Sequence, residues 1–130
     1  MTDTKKNECT NAMIVEDEKD LCFLLSKILQ RENLRASCVN SITEAKQFLN
    51  EIKPEVLFID NHLPDGSGID FIGTVKTLYP STKIIMITAH DSPPEIEKAF
   101  DNGADYFISK PFNTETIKRM LNNLALANIA

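Results

Sequence analysis

Five residues with chemically capable side chains each follow an apolar run, at the point where a predicted strand ends. They are Glu16, Asp17, Asp60, Thr88 and Lys110. Because the carboxyl ends of parallel strands share one edge of a sheet, we expect these side chains to converge. A carboxylate nucleophile, a hydroxyl and a mobile cation gathered at one place are the groups that phosphoryl transfer requires.

The three acids of this set predict a metal site. Carboxylates within several ångströms repel by up to ~4 kcal/mol per pair at an effective dielectric of about 20, so Glu16, Asp17 and Asp60 need a counter-charge. An oxygen-only donor set suits Mg²⁺, or Mn²⁺ in its place, because hard cations retain water and share phosphate oxygens. Lys110 would add a second positive charge, and Thr88 a hydroxyl donor.

Five short segments are predicted to be strands, and four of them are apolar runs. The apolar runs are Ala12–Val15, Val56–Ile59, Ile84–Ile87 and Tyr106–Ile108, and the remaining strand is Leu34–Val39. Each is followed by a segment with helical periodicity or capping residues, so five helices alternate with the strands. Strict alternation favours a doubly wound α/β fold with a five-stranded parallel sheet in the flavodoxin-like order 2-1-3-4-5.

Capping patterns predict where two of the helices begin. Ser41 with Glu44, and Ser92 with Glu95, match the Ser-x-x-Glu capping box of a helix start. Between the third strand and the third helix, the segment Pro64–Gly66 reads Pro-Asp-Gly, which is a strong turn signal. The third strand therefore delivers its aspartate to a loop.

Composition limits the chain to one globular domain. Its 130 residues are 42% hydrophobic and 25% charged, which suits one packed core and leaves no room for two. Residues 1–11 are polar and are expected to form a flexible tail ahead of a domain at 12–127. No apolar run reaches the length of a membrane span, and the net charge of −5 argues against unaided binding to nucleic acid.

The cysteines favour an intracellular protein. Cys9, Cys22 and Cys38 are odd in number and lack the spacing of a metal site. Two of them, Cys22 and Cys38, fall inside predicted elements of secondary structure. We therefore expect reduced thiols in a cytoplasmic protein.

Four motifs follow one another along the chain. They are Met13-Ile14-Val15-Glu16-Asp17-Glu18, Leu57-Phe58-Ile59-Asp60 with Leu63-Pro64-Asp65-Gly66, Ile87-Thr88-Ala89 and Lys110-Pro111-Phe112. In this order they resemble the receiver domain of bacterial two-component response regulators. The likeness covers about residues 12 to 127, and the four motifs together are far more specific than any one of them. It implies a signalling switch that catalyses its own phosphorylation and slow dephosphorylation, rather than an enzyme that turns over a substrate.

The resemblance implies a role for each residue at the strand ends. Asp60 would be the phospho-acceptor, and Lys110 would contact the phosphoryl group. The residues expected to surround Mg²⁺ are Glu16, Asp17, Asp60 and, through its backbone carbonyl, His62.

The resemblance also implies how a signal would leave the site. Thr88 would move toward the phosphoryl group and Phe107 would reorient, which remodels the face formed by the fourth helix, the fifth strand and the fifth helix. A cis peptide bond is expected before Pro111. The two histidines, His62 and His90, stand at positions that tune phosphoryl lifetime in the family.

The implied partners are a phosphoryl donor and a target that responds to the signal. The donor would be a sensor histidine kinase or a histidine phosphotransfer protein. The target would be a downstream effector protein or a C-terminal output domain. Phe23, expected to face solvent, lies with Cys22 on the face of the first helix that kinases contact in similar receivers.

Three other classes of protein share part of this pattern. A haloacid-dehalogenase-like phosphatase needs Asp-x-Asp after its first strand, whereas Asp60 follows the third strand and is followed two residues later by His62. A flavodoxin-like cofactor binder needs amides or cations after strand one, where this chain has acids. A degenerate receiver that only docks partners typically lacks the aspartate, threonine or lysine, and this chain keeps all three.

Overall fold

Strands and helices alternate along the chain in the computed structural model, which describes residues 10–89 and 92–124. The strands of the main sheet are β1 (Thr10–Val15), β2 (Leu34–Val39), β3 (Val56–Ile59), β4 (Lys83–Thr88) and β5 (Tyr106–Ser109). The helices are α1 (Lys19–Arg31), α2 (Ile42–Ile52), α3 (Gly68–Leu78), α4 (Pro93–Asn102) and α5 (Thr114–Asn123). None of these helices has both the length and the apolar character needed to cross a membrane.

The five strands form one parallel sheet in the order β2-β1-β3-β4-β5. The predicted doubly wound, flavodoxin-like topology is therefore confirmed. α1 and α5 cover one face of the sheet, and α2, α3 and α4 cover the other. Two further strands of two residues each, His62–Leu63 and Gly66–Ser67, pair antiparallel in the loop between β3 and α3.

Successive residues of the central strands β1, β3 and β4 enter different cores. Ile14 and Phe58 pack with α1 and α5, whereas Met13 and Leu57 pack with the three helices on the opposite face. All four are at most 2% exposed. Burial of such side chains stabilises the fold by about 1.5–3 kcal/mol each. Because both faces of the sheet are apolar, only the strand ends remain for polar chemistry.

β1 begins earlier than the sequence suggested. Thr10 and Asn11 belong to this strand, although they were expected in the polar tail. Thr10 pairs with Leu34 of β2 and is only 7% exposed, because the backbone ladder continues beyond the apolar run. Residues 1–9 of the expected tail and 125–127 of the expected domain lie outside the described residues.

Neither of the two predicted capping boxes forms in full. The hydroxyl of Ser41 accepts a hydrogen bond from the amide of Glu44 at 3.0 Å, but the Glu44 carboxylate accepts from the amide of Asn40 at 2.8 Å instead of that of Ser41. The side chain of Ser92 accepts no such bond at the start of α4. The amide of Glu95 donates instead to the Ser92 carbonyl at 3.0 Å, so the prediction of a second capping box was wrong.

Asp65 ties the loop after β3 to the start of α2. Its carboxylate accepts hydrogen bonds from the amides of Ile42 at 2.9 Å and Thr43 at 2.8 Å, and from the Thr43 hydroxyl at 2.6 Å. These bonds, led by that of the hydroxyl, lower the pKa of Asp65 from 3.8 to about 2. The sequence had indicated a turn here, but not this long-range cap.

We expect Asp65→Asn to lower stability only where the parent carboxyl is ionised. A lowered folded pKa stabilises the folded chain above the unfolded pKa, and this contribution is lost as the pH falls through the folded value. The parent's advantage over Asp65→Asn should be complete near neutral pH and should shrink as the pH falls from 3.8 to about 2. Urea unfolding across this range measures the difference, and an advantage that does not change with pH would contradict the assignment.

Cys22 of α1 and Cys38 of β2 form a disulfide. Their Cα atoms lie 6.2 Å apart, within the range that a disulfide spans. The expectation of reduced thiols was wrong for this pair, because the packing of α1 beside β2 joins residues whose spacing along the chain gave no signal. Cys9 lies outside the described residues.

Candidate functional site

Three carboxylates meet at the carboxyl edge of the sheet. The amide of Glu16 donates to the Val39 carbonyl at 3.0 Å, and the amide of Asp60 donates to the Val15 carbonyl at 3.2 Å, which holds the ends of three strands side by side. One carboxylate oxygen from each of Glu16, Asp17 and Asp60 lies within 4.8 Å of the other two. Glu16 and Asp60 are buried and Asp17 is exposed, so the cluster is open to solvent on one side.

Lys110 reaches this cluster from the end of β5. Its Nζ lies 3.0 Å from Glu16 Oε1, 3.0 Å from Asp60 Oδ2 and 3.5 Å from Glu18 Oε1. The lysine side chain is only 12% exposed, so the two shorter ion pairs are largely shielded from water. The predicted convergence of the acids and the lysine is therefore present in the structure.

Burial and ion pairing shift the pKa values of Glu16 and Lys110 in opposite directions. Burial raises the pKa of Glu16, and the hydrogen bonds from Lys110 and the Glu18 amide offset this only in part. Burial lowers the pKa of Lys110, but the bonds and charges of Asp60 and Glu16 outweigh it, so the net change is upward. The lysine is charged at neutral pH, and the Glu16 carboxylate would gain from a further cation.

β4 and β5 end together beside the acids. Thr88, the last residue of β4, is fully buried, and its carbonyl accepts a hydrogen bond from the Lys110 amide at 3.0 Å. The Lys110–Pro111 peptide bond is cis, as expected. Phe107 of β5 is partly buried against the core formed with α2, α3 and α4. Thr88 and Lys110 thus share the edge of the sheet that holds the carboxylates.

The residues after Asp60 remain close to its carboxylate. The amide of His62 donates to Asp60 Oδ1 at 3.4 Å, and the imidazole is exposed to solvent with Nε2 3.7 Å from Glu95 Oε2. Asn61, which the sequence did not single out, is 8% exposed. In the sequence, Asn61 stands out only as a polar residue between a buried strand and a turn. His90 lies outside the described residues.

α3 begins directly against the backbone of Asp60. The amide of Gly68 donates to the Asn61 carbonyl at 2.9 Å. A Cβ at Gly68 would clash with the Asp60 carbonyl oxygen and would lie 3.0 Å from the Asn61 Cα. Glycine is therefore required here by close packing of two backbones.

We expect Gly68→Ala to destabilise the fold and displace Asp60. Overpacking against a backbone that cannot move freely costs about 1–3 kcal/mol. Gly73 is the matched control on the same helix, because a Cβ there meets nothing nearer than the Asn102 Nδ2 at 3.9 Å. Gly73→Ala should be neutral or stabilising by up to about 1 kcal/mol. Urea unfolding separates the two variants, and equal stabilities would contradict the tight contact at Gly68.

The sheet order and its polar edge define the chain as a flavodoxin-like domain of the CheY type. The chain belongs to the family of response regulator receiver domains, whose family model matches residues 12–122. Receiver domains are the phospho-accepting switches of two-component signalling. The resemblance that the four motifs predicted is confirmed.

Similar proteins agree with this assignment. The chain is 32% identical over 110 residues to the response regulator protein PilR of Pseudomonas aeruginosa, which covers 85% of this chain and 25% of PilR. It is 27% identical over 105 residues to the DNA-binding transcriptional regulator NtrC of Proteus hauseri, which covers 81% of this chain and 22% of NtrC. The chain therefore spans about a quarter of the length of these relatives.

Solved receiver structures have the same architecture. The beryllofluoride-activated NtrC4 receiver domain dimer matches with a TM-score of 0.82 and 31% identity, covering 87% of this chain and 93% of that one. The chemotaxis protein CheY4 of Vibrio cholerae matches with a TM-score of 0.83 and 25% identity, covering 88% of this chain and 98% of that one. The site described above therefore lies on a receiver fold.

Proposed function

We propose that the chain takes a phosphoryl group onto Asp60 from a phosphohistidine donor and changes shape in response. One observation carries this proposal, namely the position of Lys110 Nζ at 3.0 Å from both Glu16 and Asp60, inside a cluster of three carboxylates. A lysine so placed can exchange its ion pair with the carboxylate for an ion pair with a phosphoryl oxygen and still remain within the cluster. This arrangement suits phosphoryl transfer better than passive docking.

The proposed transfer is a direct displacement at phosphorus. An oxygen of Asp60 bonds to phosphorus, the bond from phosphorus to the donor imidazole nitrogen breaks, and the imidazole takes up a proton. Lys110 then pairs with an equatorial phosphoryl oxygen, and the hydroxyl of Thr88 is proposed to donate to the same group. Asp60 carries the product as an acyl phosphate, so the chain stores a signal and does not turn over.

Glu16, Asp17 and Asp60, with the backbone carbonyl of His62, would hold the metal ion. Their donors are all oxygens, and the burial of Glu16 raises its pKa, so its carboxylate would be stabilised by a nearby cation. These features fit Mg²⁺ or Mn²⁺. When bound, the ion supplies positive charge to the phosphoryl oxygens.

We propose that the face formed by α4, β5 and α5 transmits the phosphorylated state. Thr88 and Lys110 are joined by a backbone hydrogen bond, so a shift at the end of β4 would pass to β5, which carries Phe107. Phe107 is only partly buried, which leaves its ring room to change position. The pair of Thr88 and Phe107 is the proposed switch.

The proposed partners follow from membership of the receiver family. A sensor histidine kinase or histidine phosphotransfer protein would donate the phosphoryl group. The face of α1 that bears Phe23 is proposed to meet it, since this ring is 66% exposed and Lys27 Nζ lies 5.2 Å from its centroid. A downstream effector or an attached output domain would read the signal. We propose a cytoplasmic location on the basis of membership of the receiver family. The disulfide of Cys22 and Cys38 does not support this location, because disulfides are uncommon in the cytoplasm.

Intact-mass spectrometry after incubation with acetyl phosphate tests the proposed function. We expect one phosphoryl adduct per chain in the presence of Mg²⁺ and none when EDTA removes the metal. Mn²⁺ should replace Mg²⁺. Equal labelling with and without EDTA would contradict the metal-dependent mechanism, and no labelling in either condition would favour a docking module.

A further inference from the structure

Asn61 joins the phospho-acceptor loop to the start of α3. Its Oδ1 accepts hydrogen bonds from the amide of Ile69 at 3.0 Å and from the hydroxyl of Ser67 at 3.2 Å. Its backbone carbonyl accepts the bond from Gly68 described above. Asn61 is 8% exposed and lies between Asp60 and His62 in the chain, so its position sets the course of the backbone through the site.

The other end of the same amide side chain binds α4. Asn61 Nδ2 donates to Glu95 Oε2 at 2.7 Å, across 34 residues of sequence. The same carboxylate oxygen lies 3.7 Å from His62 Nε2. Glu95 is in the first turn of α4, where the predicted capping box would have directed it back to its own helix. Its carboxylate instead faces the two residues that follow Asp60.

A second contact fixes the far end of α4 to α3. The Nδ2 of Asn102, the last residue of α4, donates to the carbonyl of Ile69 at 2.8 Å. α4 is therefore tied at both ends to the start of α3, once through Asn61 and once directly. A displacement of the first turn of α4 would pull on the side chain next to Asp60.

We propose that Glu95 is a positioning residue that couples α4 to the phospho-acceptor loop through Asn61, an inference that rests on the proposed function. The bond between the two side chains holds the peptide units on either side of Asn61 in place. Those units connect Asn61 to Asp60, which bears the reactive carboxylate, and to His62, whose carbonyl is proposed as a metal ligand. Because coupling is reciprocal, occupation of the site should in turn change the environment of the first turn of α4.

Phosphorylation rates of Glu95 variants test this coupling. Loss of one charge-assisted, partly exposed hydrogen bond should slow uptake from acetyl phosphate about threefold to tenfold in Glu95→Ala. Glu95→Gln keeps an oxygen acceptor and should stay within about twofold of the parent. Glu97→Ala removes the same charge from an exposed position of the same helix and should match the parent. Thermal unfolding of all the variants checks that they are folded at the assay temperature.

A double-mutant cycle separates coupling from a general loss of structure. In the background of Asn61→Ala, the change Glu95→Ala should have no further effect on rate, because the partner is already absent. Additive effects, or a Glu95→Ala rate equal to that of Glu97→Ala, would overturn the inference while leaving the proposed function intact. If the parent chain takes up no phosphoryl group, the proposed function fails, and the inference fails with it.

Discussion

Asp60→Asn is expected to abolish phosphoryl uptake in the presence of Mg²⁺. An asparagine amide has the shape of the aspartate but cannot attack phosphorus to form an acyl phosphate. The variant should remain folded, because it removes one charge from three crowded carboxylates and leaves Glu16 paired with Lys110 at 3.0 Å. Intact-mass spectrometry with acetyl phosphate measures the loss.

Asp70→Asn is the matched control for this experiment. Asp70 is an exposed acid in the first turn of α3, so the same chemical change falls outside the cluster. It should be labelled at the parent rate. Persistence of the adduct in Asp60→Asn would show that another residue accepts the phosphoryl group, and loss of labelling in both variants would point to an indirect effect.

Lys110→Met should have the second largest effect. Removal of a single group that stabilises developing charge lowers rates by about 10² to 10³-fold in comparable sites. The change also leaves two buried carboxylates without their cation, which we expect to lower stability by about 1–3 kcal/mol when no metal is present. Millimolar Mg²⁺ should restore much of that stability, because it replaces the missing charge. Stopped-flow labelling and urea unfolding measure the two effects.

Lys76→Met is the control that separates catalysis from structure. Lys76 Nζ lies 2.9 Å from Asp105 Oδ2 and donates to the Thr82 carbonyl at 2.8 Å, away from the site. Its replacement should lower stability without a response to Mg²⁺ and without slowing phosphoryl uptake. A Lys110→Met chain that is phosphorylated at the rate of Lys76→Met would remove the lysine from the proposed mechanism.

Much of the fold could be predicted from the sequence, because the hydropathy pattern reveals the strands of a doubly wound sheet. Buried parallel strands are apolar on both faces, so runs such as Val56–Ile59 are visible without a structure. The polar residue that ends each run then identifies the functional edge. The predicted starts of two strands were wrong by one or two residues, because backbone pairing extends beyond the apolar run at Thr10 and Lys83.

Several contacts that escaped prediction join residues distant in sequence. Ser92 and Glu95 match a capping box, yet the carboxylate of Glu95 binds Asn61, and no local pattern distinguishes these outcomes. The hydrogen bonds that Asp65 accepts from the start of α2 were missed for the same reason, because the local sequence indicated only a turn. The cluster itself was predictable because strand order, rather than side-chain geometry, brings its members together.

Reductive trapping tests the identity of the phospho-acceptor most directly. The parent chain is phosphorylated with acetyl phosphate and Mg²⁺, treated with sodium borohydride, and digested for tandem mass spectrometry. Borohydride reduces an aspartyl phosphate to homoserine, so we expect homoserine at position 60 and unchanged aspartate at positions 17 and 65. Homoserine at another aspartate, with position 60 unmodified, would contradict the assignment of Asp60.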